Sequence, residues 1–394
     1  MKLRFLSSLL FLLPLVSTGG EVEISGSVAD ESRTFFEEPQ FPGQVETWQP
    51  SVIVEPEFFY ETDDRDQQYR FSPYFRFDFQ DDERTHFDIR EANWRYMKDD
   101  WDLFVGIGKV FWGVTESQHL VDIINQDDFV EDIDREDKLG QQMINLSLYK
   151  KWGTLNLFVL PGFRERTFAG RDGRFRTPLT ISDDPTYDSS AENGHVDFAI
   201  RYAHSIGNWD VGAYYFHGTG REPRFLPSAD GNEIVPHYDI IDQGGIDIQY
   251  THEALLLKLE AIARGGHGDT FGAFAGGFEY TFYQIFDSSS DLGLLAEYHR
   301  DGRDEDAPPT LFQNDVFAGA RWSMNDTQDS ALLFGVVKDT ESDAATLFVE
   351  FERRIRDDWK IEIEGRFIAN GHDDPLLDPF ANDSFLTVRL SRFF

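Results

Sequence analysis

Five arginines crowd into one short stretch of a strongly acidic chain. They are Arg164, Arg166, Arg171, Arg174 and Arg176, here called the arginine cluster. A guanidinium group presents a planar fork of donors that suits carboxylates and phosphates. If this stretch folds into an opening, the arginine cluster predicts a preference for anionic solutes, such as acidic or phosphorylated sugars. If it stays outside, the arginines would pair with lipopolysaccharide phosphates or with acidic neighbours.

Carboxylates crowd together shortly before the arginine cluster. They are Asp127, Asp128, Glu131, Asp132, Asp134, Glu136 and Asp137. Such crowding attracts hard cations, calcium above all. The spacing lacks the glycine of an EF-hand loop, so the sequence predicts neither a specific metal site nor a cofactor. We favour a solvated acidic loop that divalent ions bridge to lipopolysaccharide.

Catalysis and nucleic-acid binding find no support in the sequence. Histidines such as His119, His195, His217 and His299 have no nucleophile at a motif spacing, and no Gly-x-Ser-x-Gly elbow occurs. The chain carries 36 Lys and Arg against 72 Asp and Glu, for a net charge of -36. That balance repels nucleic acid. With no cysteine, neither disulfides nor thiolate metal sites can form.

The N-terminus has the three parts of a secretory signal. Lys2 and Arg4 precede an apolar stretch over 5–16, and small residues follow over 17–20. We therefore predict a signal peptide at 1–20 and a single domain over 21–394. Beyond residue 20, no apolar run approaches the ~20 residues that a transmembrane helix needs.

The elements that must position these charges read as two-faced strands. Between residues 69 and 80, rings and a proline at odd positions alternate with polar and charged side chains at even positions. Side chains alternate across a strand, so one face is a wall of rings and the other is polar. Five further runs repeat the pattern, within 52–60, 255–264, 274–282, 347–352 and 359–367. This pattern predicts an all-β transmembrane barrel whose apolar face contacts lipid.

The connections between strands alternate in length. Short polar turns are predicted at 63–66, 98–100, 150–153, 205–208, 251–253, 287–290, 325–328 and 356–358. Longer connections are predicted at 37–49, 113–138, 163–194, 218–236, 301–311 and 370–381, with shorter ones near 81–84, 265–269 and 339–343. Short periplasmic turns and long extracellular loops are typical of outer-membrane barrels. Counting strands on either side gives a single-chain antiparallel barrel of about 18 strands, within a range of 16–18.

The polar phase of these strands supplies the candidate channel-lining residues. Besides the arginine cluster they are Arg70, Arg76, Arg90, Lys109, Lys258, Arg264, Glu279, Glu350, Glu362, Glu364 and Arg366. Opposed charges of this kind orient polar solutes in a pore, and they also satisfy one another in a water-filled wall. Gly106 and Gly108 share that phase, where glycine leaves room for a segment that approaches closely. The connection 113–138 could fold inward to narrow the pore or remain outside.

The end of the chain carries a family resemblance. Leu386, Val388 and Leu390 alternate with polar residues, and the chain closes on Phe394. This strand resembles the terminal strand of porin-like outer-membrane barrels, a likeness that implies recognition of Phe394 by the barrel-assembly machinery. The stretch from Phe87 to Arg176, about a quarter of the chain, has an Arg-Glu-Ala strand followed by a Gly-rich strand ending in Trp-Gly, and it is loosely similar to uncharacterised porin-like families.

The resemblance implies an integral outer-membrane protein in contact with lipid and lipopolysaccharide. A barrel of this size without a plug leaves an aqueous channel. We therefore expect passive passage of small hydrophilic solutes, with anion preference as a secondary expectation. Three alternatives remain open: export of an anionic polysaccharide, as in alginate-type exporters; a closed barrel for adhesion, ligand capture or envelope structure; and a soluble periplasmic protein.

Overall fold

The computed structural model describes residues 21–394, and 18 of its 21 strands close into one antiparallel barrel. The barrel strands are β1 (Val22–Phe35), β2 (Trp48–Glu61), β3 (Gln67–Asp78), β4 (His86–Lys98), β5 (Trp101–Gly108), β6 (Gln141–Lys150), β7 (Gly153–Pro161), β9 (Val196–Ile206), β10 (Trp209–Thr219), β13 (Ile240–His252), β14 (Leu255–Gly265), β15 (Phe271–Phe282), β16 (Asp291–Asp301), β17 (Asn314–Ser323), β18 (Ala331–Asp339), β19 (Ala345–Arg356), β20 (Trp359–Ala369) and β21 (Phe385–Phe393). A small separate sheet contains β8 (Thr186–Tyr187), β11 (Arg224–Pro227) and β12 (Ile234–Tyr238). The predicted 18-stranded all-β barrel is confirmed. The predicted signal peptide, 1–20, lies outside the described residues.

Helical structure in the described chain is limited to single 3-10 turns. They are Glu192–Gly194, Ile285–Asp287, Gly371–Asp373 and Asp378–Phe380. Among residues 21–394, no helix has the length and apolar character needed to cross a membrane.

The barrel closes where its first strand meets its last. β1 pairs with β2 on one side and with β21 on the other. At the seam, Gly26 and Phe394 exchange backbone hydrogen bonds of 3.2 and 3.1 Å. Gly26 has φ +151°, and a Cβ there would lie 2.4 Å from the carbonyl oxygen of Glu55, so this position requires glycine. Closure satisfies the backbone of both terminal strands, which would otherwise be open edges.

The connections separate into two groups, one at each end of the barrel. Eight connections of two to eight residues lie at one end, together with Glu21 and Phe394; we call this the turn end. The other nine connections, including the long segments 109–140 and 162–195, lie at the loop end. All eight short turns and all nine longer connections predicted from the sequence are present. The small sheet joins 162–195 to 220–239, because β8 pairs in parallel with β12.

The two faces of each strand have opposite character. In β3, Phe71, Phe75 and Phe77 are exposed on the outer surface, whereas Arg76 and Asp78 are buried inside. Aromatic and aliphatic side chains are exposed in the same way around the rest of the outer wall. The alternation predicted from the sequence therefore sets which residues reach the lumen.

Candidate channel constriction

The connection between β5 and β6, residues 109–140, folds into the lumen; we call it the inward loop. Its buried apolar residues Trp112, Val121, Ile123 and Ile124 pack against an apolar patch on the inner wall. The Trp112 ring lies 4.9 Å from that of Tyr214. The patch is formed by Met143, Phe158, Leu160, Ala199, Tyr214, Phe216, Ile241, Ile262, Ala273 and Ala275. Of the two placements that the sequence left open, the structure therefore has the inward one.

Glu260 on β14 holds the tip of the inward loop. Its carboxylate accepts hydrogen bonds from the backbone N–H groups of Val114 at 2.6 Å, Thr115 at 2.9 Å and Val121 at 3.1 Å. The Glu260 side chain is fully buried. Hydrogen bonds to an ionised acceptor are roughly twice as strong as neutral ones. The Thr115 hydroxyl adds a bond of 2.7 Å to the same carboxylate. The inner wall therefore holds mainly the backbone of the loop at this point.

Glu297 on β16 makes a second grip of the same kind. It accepts from the backbone N–H of Glu116 at 2.6 Å and of Ser117 at 3.0 Å. The Ser117 hydroxyl adds a bond of 2.6 Å to the same carboxylate. Two wall carboxylates on β14 and β16 therefore fix residues 114–121.

The acidic part of the inward loop is fixed on the opposite side of the lumen by arginines. Arg76 on β3 lies between Glu31 at 2.6 Å and Glu131 of the loop at 2.5 Å, and all three side chains are buried. Arg33 on β1 pairs with Asp132 at 2.6 Å. A buried ion pair tolerates loss of one partner poorly, because the other charge is left uncompensated. The carboxylate run that the sequence suggested as a solvated outer loop is therefore largely engaged with the barrel wall.

The arginine cluster is engaged in structural contacts, apart from one member. Arg164 pairs with Asp88 at 2.8 Å, Arg166 with Asp127 at 2.7 Å, and Arg174 with Asp383 at 2.6 Å. Arg176 is buried and donates to the backbone carbonyls of Arg171, Thr177, Pro178 and Pro42. Arg171, the remaining member, is exposed to solvent. Four of the five guanidinium groups thus tie connection 162–195 to the inward loop, the barrel or other loops.

The basic candidates on the strands also have acidic partners. Arg70 lies 3.6 Å from Glu57 and from Glu91. The other pairs are Arg90 with Asp128 at 2.7 Å, Lys258 with Glu116 at 3.4 Å, and Arg264 with Glu222 at 2.5 Å. Lys109, at the start of the inward loop, forms no ion pair within 4.0 Å with any residue of the described chain. Burial lowers its pKa.

Strands β19 and β20 present solvent-exposed carboxylates to the lumen. In the strand register Glu350 lies opposite Glu364, and Glu352 lies opposite Glu362; we call these four residues the acidic ladder. Like charges directly opposite one another destabilise a sheet. The four glutamates share two cations. Lys360 lies 2.7 Å from Glu352 and 2.9 Å from Glu362, and Arg366 lies 2.8 Å from Glu364 and 3.5 Å from Glu350.

The inward loop approaches this wall with further acidic groups. Asp134 lies 2.6 Å from Arg366. Glu116 lies 2.6 Å from Arg321 of β17, which is also 3.8 Å from Glu279 of β15. Although these ion pairs surround them, the side chains of Glu350, Glu352 and Glu362 remain 44%, 48% and 37% exposed. Charged side chains that point into the lumen and still contact solvent define a water-accessible strip beside the inward loop.

A cavity of about 910 Å³ lies at the loop end, between four connections. Its two arginines, Arg224 and Arg303, are paired with Asp239 and Asp301 respectively. Its acidic lining residues are Asp304, Glu305, Asp306, Asp339, Glu341, Asp373 and Asp374. The lining of this cavity therefore carries an excess of negative charge.

Several residues that hold the inward loop were not assigned that role from the sequence. Glu260 and Glu297 lie on the polar phase of their strands, but the sequence predicted no loop contact for them. Trp112, which packs the loop on the wall, and Glu352, which completes the acidic ladder, were not among the candidate channel-lining residues. A signal for the loop contact does exist in the sequence. The inward phase of β7 and β10 carries Phe158 and Phe216 where a water-filled wall would be polar. Residues 120–124 of the inward loop are apolar except for Asp122.

Neither a protein-family model nor a curated protein matches the chain. Solved structures with similar architecture include mutant forms of the Rhodopseudomonas blastica porin. One has 12% sequence identity and a TM-score of 0.46, and another has 12% identity and a TM-score of 0.44; both alignments cover 95% of this chain and 100% of the porin chain. The barrel fold of this protein is established by its own closed ring of 18 strands.

Proposed function

We propose that the protein is an outer-membrane channel for passive passage of small hydrophilic solutes. The observation that carries the proposal is the water-accessible strip of charge along the acidic ladder. Residues pointing into a filled barrel would be covered, as Arg76 and Glu31 are on the opposite wall. Barrels of 16 to 18 strands are wide enough for an aqueous passage even when part of the lumen is occupied.

The apolar outer wall supports the membrane location. Exposed rings such as Phe75, Phe77, Phe274 and Phe278 lie on strands whose other faces are polar. Bulk water would penalise so large an apolar surface, whereas hydrocarbon lipid accommodates it. We further propose that lipid and lipopolysaccharide surround the wall, and that the barrel-assembly machinery recognises the last strand through Phe394.

We propose that the channel favours cations over anions. The expectation of anion preference depended on free guanidinium groups, and four of the arginine cluster are committed to carboxylates or carbonyls. The exposed charge along the acidic ladder and around the loop-end cavity is acidic. Rings of carboxylates raise the local concentration of cations and lower that of anions.

Reversal potentials across a planar lipid bilayer under a KCl gradient test both statements. We expect stable conductance and a reversal potential shifted toward the K⁺ equilibrium potential. The double variant Glu352→Gln/Glu362→Gln should reduce that shift. Glu233→Gln, at an exposed turn between β11 and β12 of the small sheet, is the matched control and should leave it unchanged.

Each possible result of this measurement is informative. Purified, folded barrel that never conducts would contradict the channel and favour a closed barrel. Conductance with a reversal potential shifted toward the Cl⁻ equilibrium potential would contradict cation preference and would support the anion preference expected from the sequence. The shift should also weaken at high salt, because salt screens exposed charges.

A further inference from the structure

Three potential metal ligands meet where two loop-end connections join. β8 pairs in parallel with β12, with Thr186 opposite His237 and Tyr187 opposite Tyr238. Asp188 follows β8, and its N–H donates to the carbonyl of Tyr238 at 3.1 Å. The small sheet therefore brings Asp188 of connection 162–195 beside His237 and Asp239 of connection 220–239.

The spacing of their donor atoms suits a small divalent ion. His237 Nε2 lies 3.3 Å from Asp188 Oδ1 and 3.4 Å from Asp239 Oδ1. The three ligand atoms all lie within 4.8 Å of one another. A tetrahedral zinc ion with bonds of about 2.0–2.1 Å places its ligand atoms roughly 3.3–3.4 Å apart. The two distances from the imidazole nitrogen match that tetrahedral edge.

Neighbouring residues hold the ligands in orientation. Thr186 Oγ1 lies 2.9 Å from His237 Nδ1, which leaves Nε2 as the nitrogen that faces the two carboxylates. Asp239 Oδ2 lies 3.0 Å from His267 Nδ1 and accepts from Arg224 Nε at 2.7 Å. Oδ1 also accepts a hydrogen bond from Arg224 Nη2, which leaves one lone pair on Oδ1 for a metal ion. Ligands of metal sites are commonly fixed in this way by hydrogen bonds from outside the site.

The donor set also discriminates between metals. Calcium and magnesium take six or more oxygen ligands, whereas imidazole with two carboxylates suits zinc. Asp239 is buried, but Asp188 is 47% exposed at its side chain, so an ion can enter from solvent. Three protein ligands leave a fourth tetrahedral position for water.

We propose that Asp188, His237 and Asp239 bind a zinc ion that fastens connection 162–195 to connection 220–239 at the loop end of the barrel. The site lies outside the lumen constriction and does not depend on conduction. Because the arginine cluster ties connection 162–195 to the inward loop, the ion would brace the loops above the constriction.

Metal binding to the full-length barrel in detergent, after EDTA treatment and dialysis, tests the proposal. We expect one zinc per chain by elemental analysis, and we expect Co²⁺ in its place to give the intense visible absorption of tetrahedral coordination. His237→Ala should weaken zinc binding by at least about 100-fold and abolish that absorption. Loss of a residue that only hydrogen-bonds to a ligand typically weakens metal binding 10–100-fold, and loss of one of the three ligands should weaken it more. His252→Ala, an exposed histidine in β13 at the turn end, is the matched control and should change neither.

Heat-modifiable migration on gels shows whether each variant is a folded barrel. If His237→Ala fails to fold, Asp188→Asn replaces it, because that side chain is half exposed. Zinc binding that is unchanged in a folded His237→Ala or Asp188→Asn variant would overturn the proposal. Wild-type protein that binds no zinc when zinc is added back, or that binds calcium in preference to zinc, would overturn the proposal as well.

Discussion

Replacing Glu260 by glutamine should release the tip of the inward loop without disturbing the barrel strands. The carboxylate is fully buried and accepts the backbone N–H groups of Val114, Thr115 and Val121. An amide has one accepting oxygen and one donating nitrogen. The nitrogen would face a backbone N–H, so at least one of the three bonds must be lost.

The size of the effect follows from these bonds. A hydrogen bond to a charged group contributes about 1.5–3 kcal/mol, and a neutral one about half as much. The three charged backbone bonds would become two neutral ones, a loss of about 4 kcal/mol on these figures. The bond from the Thr115 hydroxyl would also become a neutral one, which adds to this loss. At 1.4 kcal/mol per tenfold, the local opening equilibrium of residues 114–121 rises on the order of 10³-fold.

Amide hydrogen exchange at residues 114–121 measures that opening directly. The variant should lose protection there by two to three orders of magnitude on the same conversion, while the β14 and β15 ladders keep theirs. Glu279→Gln is the matched control, since Glu279 faces the lumen from β15 and accepts no hydrogen bond from the described loop residues. Unchanged protection at 114–121 in folded Glu260→Gln protein would refute the idea that wall carboxylates hold the loop.

Other contacts make further predictions. Trp112→Ala should cost about 3–5 kcal/mol of loop docking and raise single-channel conductance, because the ring packs on the inner wall; unaltered conductance would contradict this. Arg76→Met leaves Glu31 and Glu131 buried without their shared partner, so the denaturation midpoint in urea should fall by the equivalent of about 3–5 kcal/mol. Burial, with the nearby Glu131 carboxylate, raises the pKa of Asp137 in the inward loop to about 6. Above that pH the folded protein holds a buried charge that destabilises it, so Asp137→Asn should raise the melting temperature at pH 7.5. The gain should shrink as the pH falls from 6 toward 4, where the Asp137 carboxyl becomes neutral. A gain that does not depend on pH would contradict the raised pKa of Asp137.

The barrel itself is predictable because the alternation of residues within each strand indicates which face is apolar and which is polar. In β3, rings at every second position require lipid on one side, whatever the rest of the chain does. The connections are equally local, since polar turn residues interrupt the alternation. Strand count and closure follow from these signals, and the structure agrees with them element by element.

The segment that fills the lumen cannot be predicted from local sequence in the same way. Whether 109–140 enters the barrel depends on Val121 and Ile124 finding apolar wall residues that lie on seven different strands. The arginine cluster shows the same limit. Its types and spacing suggested an anion site, but Asp383, which engages Arg174, is distant in sequence and becomes adjacent only after closure.

The acidic ladder depends on one irregularity in a hairpin. β19 and β20 pair with Arg356 opposite Trp359, and an unbroken two-residue hairpin would then place Glu350 opposite Gly365. A bulge between Arg354 and Arg356 shifts the register by one, so that all four glutamates face the lumen. The alternation in each strand indicates the inward face. Which glutamates lie opposite one another could not be predicted without knowledge of the bulge.

The central claim is that water and ions pass beside the inward loop along the acidic ladder. The chain has no cysteine, so a single Glu362→Cys substitution gives one reactive thiol on that path. Single-channel recording during addition of a cationic methanethiosulfonate reagent tests the claim most directly. We expect a stepwise, irreversible drop in current with weaker cation preference. A channel whose current is unaffected by a confirmed modification of that thiol would contradict the proposed path.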